Sequence, residues 1–482
     1  MIAPVYILLF IVAYFGVLLT ISWLTSRGAN DESYFLGNKQ SKWYLVAFGM
    51  IGDSLSGVTF ISVPGIVAND KFSYMQVVLG YILGYIIIGK VLLPIFYNMQ
   101  LTSIYTYLHS RFGYYAEKTG AFYFLVSRLL GAGARLYLAI NVLQLFVFDA
   151  LNIPFALSAA IVIVMILIYT VKGGIKTLVW TDVFQSSFLL LAVILSIAAI
   201  ANQLNLSLPQ LVSTIIDSPN NQVFFWDVMP KNFFPKQFIG GALIALTMTG
   251  LDQNMMQKNL SCRSLKEAQT NIYTFSIIQL IVNVFFLSLG VLLYHYASVQ
   301  QIALPAKSDD LFPFLALQHL GLFASMVFIV GLTAATFNSA DSVLTTLTTS
   351  FYFDFLNKKE QSVKNRRLIH LGFAVMLLFV IMGFKWMNNT AVISSVLFIA
   401  SITYGPLLGL FMFGILTKHA VRDKWIPIVC IIVPALCYML SEWSKANPNG
   451  YQIGNELLLI NGVLTFAGLY LLKIKKTTTY GA

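Results

Sequence analysis

Residues 49–65 read Gly49-Met-Ile-Gly52-Asp53-Ser54-Leu55-Ser56-Gly57-Val-Thr59-Phe60-Ile-Ser62-Val-Pro64-Gly65, inside an apolar run covering about 43–66. Glycine, proline and serine at this density disfavour a continuous helix. In a bilayer, the carbonyls freed by a break must be met by protein, water or a cation. The competing reading is a kinked helix whose small residues pack against a neighbour. Asp53 counts against it, because a carboxylate at membrane depth costs about 2.5–3.5 kcal/mol on insertion scales. A broken helix with carbonyls lining a site is therefore expected here.

The surrounding chain has the composition such a helix needs. Of 482 residues, 58% are hydrophobic and only 10% charged, and mean hydropathy is +0.78. No soluble chain of this length hides so much apolar surface, so the class is an all-α polytopic membrane protein embedded in a lipid bilayer. Apolar runs of spanning length fall at about 4–24, 43–66, 76–98, 119–148, 153–171, 178–201, 237–257, 271–296, 319–350, 368–386, 391–416, 425–441 and 455–473, about thirteen helices. The first lacks a basic flank and a small-residue cleavage site, so it reads as a retained span. The layout is one membrane domain over 1–482: a leading helix (4–24), two five-helix halves (43–201 and 237–416) and trailing helices (425–473). An odd helix count makes the halves opposite in orientation, as in inverted-repeat transporters. The stretches 202–236 and 297–318 are expected to form a cap of short helices.

The formal net charge is +11. Alternate connections carry Arg27, Lys39, Lys42, Arg111, Lys118, Lys172, Lys176, Lys258, Arg263 and Lys266. The same side continues with Lys358, Lys359, Lys364, Arg366, Arg367, Lys418, Arg422, Lys424, Lys473, Lys475 and Lys476. The other side has Lys71, Lys231, Lys236, Lys307, Lys385 and Lys445. That asymmetry predicts a multi-pass cell-membrane protein with the N-terminus outside and the C-terminus cytoplasmic. It also accounts for most of the positive charge, so no nucleic-acid partner is expected. Cys262, Cys430 and Cys437 are too scattered for a disulfide framework or a metal site. The five histidines form no metal-ligand pair, and no nucleophile elbow, P-loop or dinucleotide fingerprint is present. An enzyme is not expected.

Two more segments place polar groups at membrane depth. Ala335-Thr336-Phe337-Asn338-Ser339-Ala340-Asp341-Ser342 sets residues 335, 338, 339 and 342 on one helical stripe. Such oxygens suit a hard cation such as Na+; the alternative is hydroxyls bonding back to their own helix. In Gly173-Gly174-Ile-Lys-Thr-Leu-Val-Trp180-Thr181-Asp182-Val-Phe-Gln185, a turn at the glycine pair precedes Asp182. That carboxylate faces a cavity, an ion, or a buried base such as Lys176 or Arg135. Arg135, in mid-helix, reads either as a clamp for a substrate carboxylate or as a counter-ion of Asp53, Asp182 or Asp341. Lys90 reads as a snorkelling or structural charge.

Gly173-Gly174 with Trp180-Thr181-Asp182-Val183-Phe184-Gln185 resembles the signature of the sodium/solute symporter family, which includes sodium-coupled sugar, proline and sialic acid transporters. Leu251-Asp252-Gln253-Asn-Met-Met-Gln257-Lys258-Asn-Leu260-Ser261 is similar to that family's Asp-Gln…Gln-Arg…Ser run. The resemblance covers about 40–420. It implies a leucine-transporter-like 5+5 inverted repeat and a primary Na+ held by carbonyls of Gly52, Leu55 and Ala335 with side-chain oxygens of Asn338 and Ser339. Hydroxyl residues are usual at both side-chain positions, and Asn338 departs from that. A second Na+ is implied at Asp182, Asp341 and Ser342, where the acid at 341 replaces a serine and makes a proton an alternative. Arg135 resembles the arginine that grips a substrate carboxylate, with Ser56, Thr59 and Gln76 lining the pocket. The implied activity is Na+-coupled import of a small organic solute, a carboxylate-bearing one such as a sialic acid or else a neutral sugar or polyol. A membrane sensor retaining the fold is the reading from another class. A monomer is sufficient for any of these.

Overall fold

The computed structural model describes residues 4–25, 39–101, 103–356, 363–387, 392–447 and 450–474. The helices that frame its centre are α1 (Pro4–Thr25), α2 (Trp43–Ser54), α3 (Gly57–Gly65), α4 (Tyr74–Ile87), α5 (Tyr114–Leu143), α6 (Phe155–Gln203) and α7 (Phe234–Ala245). They continue with α8 (Gln253–Leu260), α9 (Leu265–Val299), α10 (Gly321–Ser350), α11 (Val363–Met387), α12 (Val392–Leu416), α13 (Ile426–Ala446) and α14 (Leu457–Leu471). Among the described residues nine helices are long and apolar enough to cross a membrane, or ten with α2–α3 taken as one bent span. Phe155–Thr170 and Leu457–Leu471 are shorter apolar helices. A two-residue antiparallel ribbon, Ala420–Val421 with Lys473–Ile474, is a small β addition to the all-α expectation.

The helix break predicted in 49–65 is present: α2 and α3 meet at 57° across Leu55-Ser56. A second break was not anticipated. The run 237–257, read as one helix, is divided into α7, a π-turn at Leu246–Gly250, and α8. Asp252 explains the restart. Its carboxylate accepts from the backbone N–H of Met255 at 3.1 Å, which caps α8 and satisfies one of the orphan donors of a helix start. By contrast, helical backbone runs on through 171–176, where a turn was expected. The side chains of 171–174 and 176, Lys176 included, lie outside the described residues, as do Arg27, Lys358, Lys359, Lys475 and Lys476. In the two long connections, short helices form at Leu208–Ile216 and Leu311–Gln318.

Small residues let the helices around the breaks approach closely, as bilayer packing favours. A Cβ on Gly80 of α4 would lie 2.1 Å from the carbonyl oxygen of Phe238 in α7, and one on Gly241 would lie 2.1 Å from that of Val77. Gly80→Ala is expected to force α4 and α7 apart and cost about 1–3 kcal/mol, the usual range for overpacking. A thermal melt of the detergent-solubilised protein checks this against Gly16→Ala, where nothing lies within 4 Å. Equal melting temperatures for the two variants would refute the close crossing.

Candidate cation and substrate site

The first break supplies backbone oxygen. Leu55 N–H still donates to Ile51 C=O at 2.7 Å, but among the described residues no backbone N–H reaches the carbonyls of Gly52 or Leu55. The last turn of any helix leaves such carbonyls orphaned, and here they end inside the molecule. Helix α10 supplies side-chain oxygen opposite. Asn338 lies so close to Gly52 that a Cβ there would meet Asn338 Nδ2 at 2.3 Å and Ser186 Oγ at 2.6 Å. Ser186 Oγ accepts from Gly52 N–H at 3.0 Å and donates to the Gly49 carbonyl at 3.3 Å, tying α2 to α6. Asn338 Nδ2 donates to the Asp182 carbonyl at 3.4 Å. Asn338 Oδ1 and Ser339 Oγ are buried with no hydrogen-bond partner among the described residues. A buried oxygen without a partner normally costs about 1–3 kcal/mol. Ala335 is buried one turn before Ser339 on the same helix. Of the donors expected for a primary cation, the structure brings Gly52 of α2 against Asn338 of α10, with Ser339 the next residue on that helix; oxygens of this kind suit a hard ion.

The three residues expected for a second cation are arranged differently. Asp182 and Ser342 meet at a lysine. Lys258 of α8 is 1% exposed; its Nζ donates to Asp53, to Asp182 Oδ2 at 2.5 Å and to Ser342 Oγ at 3.0 Å. Lys258 was counted among the cytoplasmic loop charges because it follows an apolar run by one residue. That assignment is corrected: every residue of α8 is buried. The buried base of Asp182 is accordingly Lys258, and Arg135 takes no part in that pair. Asp341 turns elsewhere, accepting from Tyr169 OH at 3.0 Å and from the backbone N–H of Ser342 at 2.5 Å.

Beside the break lies a cavity of about 80 Å³, walled by Asp53, Ser56 and Thr59, by Tyr74, Tyr81 and Tyr85 of α4, and by Arg128 and Arg135 of α5. Its two arginines are not equivalent. Arg128 Nε is paired with Asp252, which also accepts from Tyr404 OH at 2.6 Å, and Arg128 Nη2 donates to the Met248 carbonyl at 3.3 Å. Arg135 has neither an ion-pair nor a hydrogen-bond partner among the described residues. Its counter-ion reading therefore fails for Asp53, Asp182 and Asp341 alike. A wider cavity of about 390 Å³ adjoins the first and shares Tyr74, Ile393 and Leu397 with it. Gln76 is not part of the inner wall. Its Nε2 donates to the Asn232 carbonyl at 2.9 Å and its Oε1 accepts from Phe225 N–H at 3.4 Å, so it anchors the 222–232 connection. Lys90 is exposed on its helix flank, as a snorkelling charge would be.

Known proteins share this fold. The solved structure of a Na+-coupled sialic acid symporter, in a substrate-bound outward-open state with a novel Na+ site, superposes with a TM-score of 0.81 over 96% of this chain and 97% of that one, at 18% identity. A nucleobase-cation-symport-1 family transporter in a closed conformation gives 0.55 at 13% identity, covering 91% and 94%. The sodium/sialic acid symporter NanT of Aliivibrio fischeri is 23% identical over 480 residues, 95% of this chain and 92% of that protein. Sodium-coupled monocarboxylate transporter 2 of Danio rerio is 25% identical over 80% of this chain, and transporter 1 of Mus musculus 26% over 81%. The chain spans only 63% and 65% of those two relatives' lengths. The sodium:solute symporter family model matches residues 34–423. These residues, with the helical frame around the first break, make the chain a member of the sodium:solute symporter family.

Proposed function

We propose that the chain is a Na+-coupled symporter that moves a small carboxylate-bearing solute, such as a sialic acid, by alternating access. The observation that carries the reading is the pair of buried, unpartnered oxygens on Asn338 and Ser339 beside the Gly52–Leu55 break. Na+, as cargo, would be held by them with the carbonyls of Gly52, Leu55 and Ala335. One such ion ties α2 to α10 and so favours the state in which the cavity beside it is formed. Coupling needs only that differential affinity. The solute's carboxylate would meet Arg135, with Ser56 and Thr59 beside it. Guanidinium is suited to two-point recognition of a planar carboxylate. The relatives named for sialic acids and for monocarboxylates fit the same chemistry.

One feature supports an inverted repeat of five helices each: the break at Leu55-Ser56 in the first half has a counterpart at Leu251-Asp252 in the second, as paired discontinuous helices have in inverted-repeat transporters. With Lys258 removed from the loop charges, the bias is twenty against six, which still supports an outside N-terminus and a cytoplasmic C-terminus.

Purified protein in liposomes should accumulate a radiolabelled sialic acid or short monocarboxylate under an inward Na+ gradient and not under a K+ gradient. Accumulation indifferent to the cation would refute the reading. Ser339→Ala should raise the Na+ concentration for half-maximal uptake by roughly 3- to 30-fold, the equivalent of about 0.7–2 kcal/mol for one lost ligand. An unchanged half-maximal concentration would remove Ser339 from the ion's coordination.

A further inference from the structure

Lys258 places a permanent positive charge where the resemblance led us to expect a second sodium. Three N–H bonds radiate from an ammonium, and each has an acceptor: Asp53 on α2, Asp182 Oδ2 on α6 and Ser342 Oγ on α10. Two of these residues, Asp182 and Ser342, belong to the second donor set. The ammonium and its three partners are buried, and an isolated charge is not tolerated in such surroundings. Helix α8, which carries the lysine, exists as a separate element only because the chain breaks and restarts at Asp252. The second break therefore has a use: it carries a cation into contact with the first.

We propose that the Lys258 ammonium is a tethered cation that fills the second ion site, so that this carrier binds one Na+ fewer than its donor set could hold. The lysine neutralises Asp53 and Asp182 without an ion from solution. It also joins both breaks to α6 and α10 whatever the Na+ concentration. Replacing it with a neutral side chain leaves two facing carboxylates whose unpartnered oxygens, Asp53 Oδ1 and Asp182 Oδ1, then require a mobile cation. The proposal rests on the Na+-coupled reading only for the count in the unaltered protein, not for the change on substitution.

The test counts 22Na+ bound per chain at saturating Na+ in purified, detergent-solubilised protein. The unaltered protein should bind one, Lys258→Gln one more, and Lys258→Gln with Asp182→Asn should fall back to the original number. Two ions in the unaltered protein, or no gain in Lys258→Gln, would overturn the proposal. No ion in the unaltered protein with one in Lys258→Gln would sink the Na+-coupled reading and keep the tethered cation. Should Lys258→Gln fail to fold, Asp182→Asn alone decides the matter. Its Na+ count should stay at one, because its carboxylate serves the lysine; loss of a bound ion in that variant would contradict the assignment.

Discussion

Arg135→Gln should abolish uptake of a carboxylate solute at concentrations that saturate the unaltered protein. The two arginines of the inner cavity show why the effect should be large and specific. Arg128 is already neutralised by Asp252, whose carboxylate Tyr404 OH also holds, and it donates to the Met248 carbonyl. Arg135 lines the same space with its guanidinium unengaged among the described residues. A cation left without a partner in a helix interior is costly, and a substrate anion relieves that cost. Removing one member of a buried charge pair typically loses about 2–5 kcal/mol, so KM should rise by roughly 30-fold to several thousandfold. Arg135→Lys keeps the charge and loses the planar fork, and should recover only part of the loss. The Na+ concentration needed for stabilisation against heat, without solute, should change little in either variant. A fall in uptake of less than about threefold would transfer the solute to the neutral class, a sugar or polyol.

The first break was legible because its local chemistry is unusual: glycine, serine and proline crowd around Asp53 in a segment with no other reason to be polar. The α10 stripe was legible for the same reason, since Asn338, Ser339 and Ser342 recur at helical spacing. The second break was not. Leu246-Thr-Met-Thr-Gly250-Leu251 continues an apolar run with a single glycine, and the break is announced only by Asp252 acting as an N-cap. An aspartate ahead of Gln253-Asn254-Met255-Met256-Gln257 is a helix-start signal of N-cap type. Lys258 escaped for a different reason. A lysine at the end of an apolar run can reach water or turn inward, and the choice depends on what other helices offer. Asp53 and Asp182 lie 205 and 76 residues away from it in the chain. Gln76 shows the reverse case: a polar residue expected at the pocket is held by a connection some 150 residues distant.

Gly52→Ala should remove Na+-dependent transport while leaving a folded protein. At this glycine α2 meets side chains of both α6 and α10, and its missing side chain is the space that Asn338 occupies. An added methyl would sit 2.3 Å from Asn338 Nδ2, 2.8 Å from its Cγ and 2.6 Å from Ser186 Oγ. These atoms are ends of side chains, not backbone, so they can swing away and the helices need not separate. What must move is the Asn338 amide, whose oxygen is the ligand in the proposed Na+ site. Displacing it, together with the Gly52–Ser186 hydrogen bond, should cost about 1–3 kcal/mol of cation affinity, roughly 5- to 150-fold in the Na+ required. The stabilisation that Na+ gives against heat should shrink in parallel, because a bound ion stabilises only in proportion to its occupancy. A second substitution separates this account from general damage. Asn338→Ser shortens the side chain and leaves a hydroxyl oxygen on the helix face of the proposed site. In the Gly52→Ala background it should restore much of the lost Na+ affinity, a non-additivity that only residues in contact display. If Gly52→Ala and Asn338→Ser instead add independently, Asn338 does not serve the ion through the space beside Gly52.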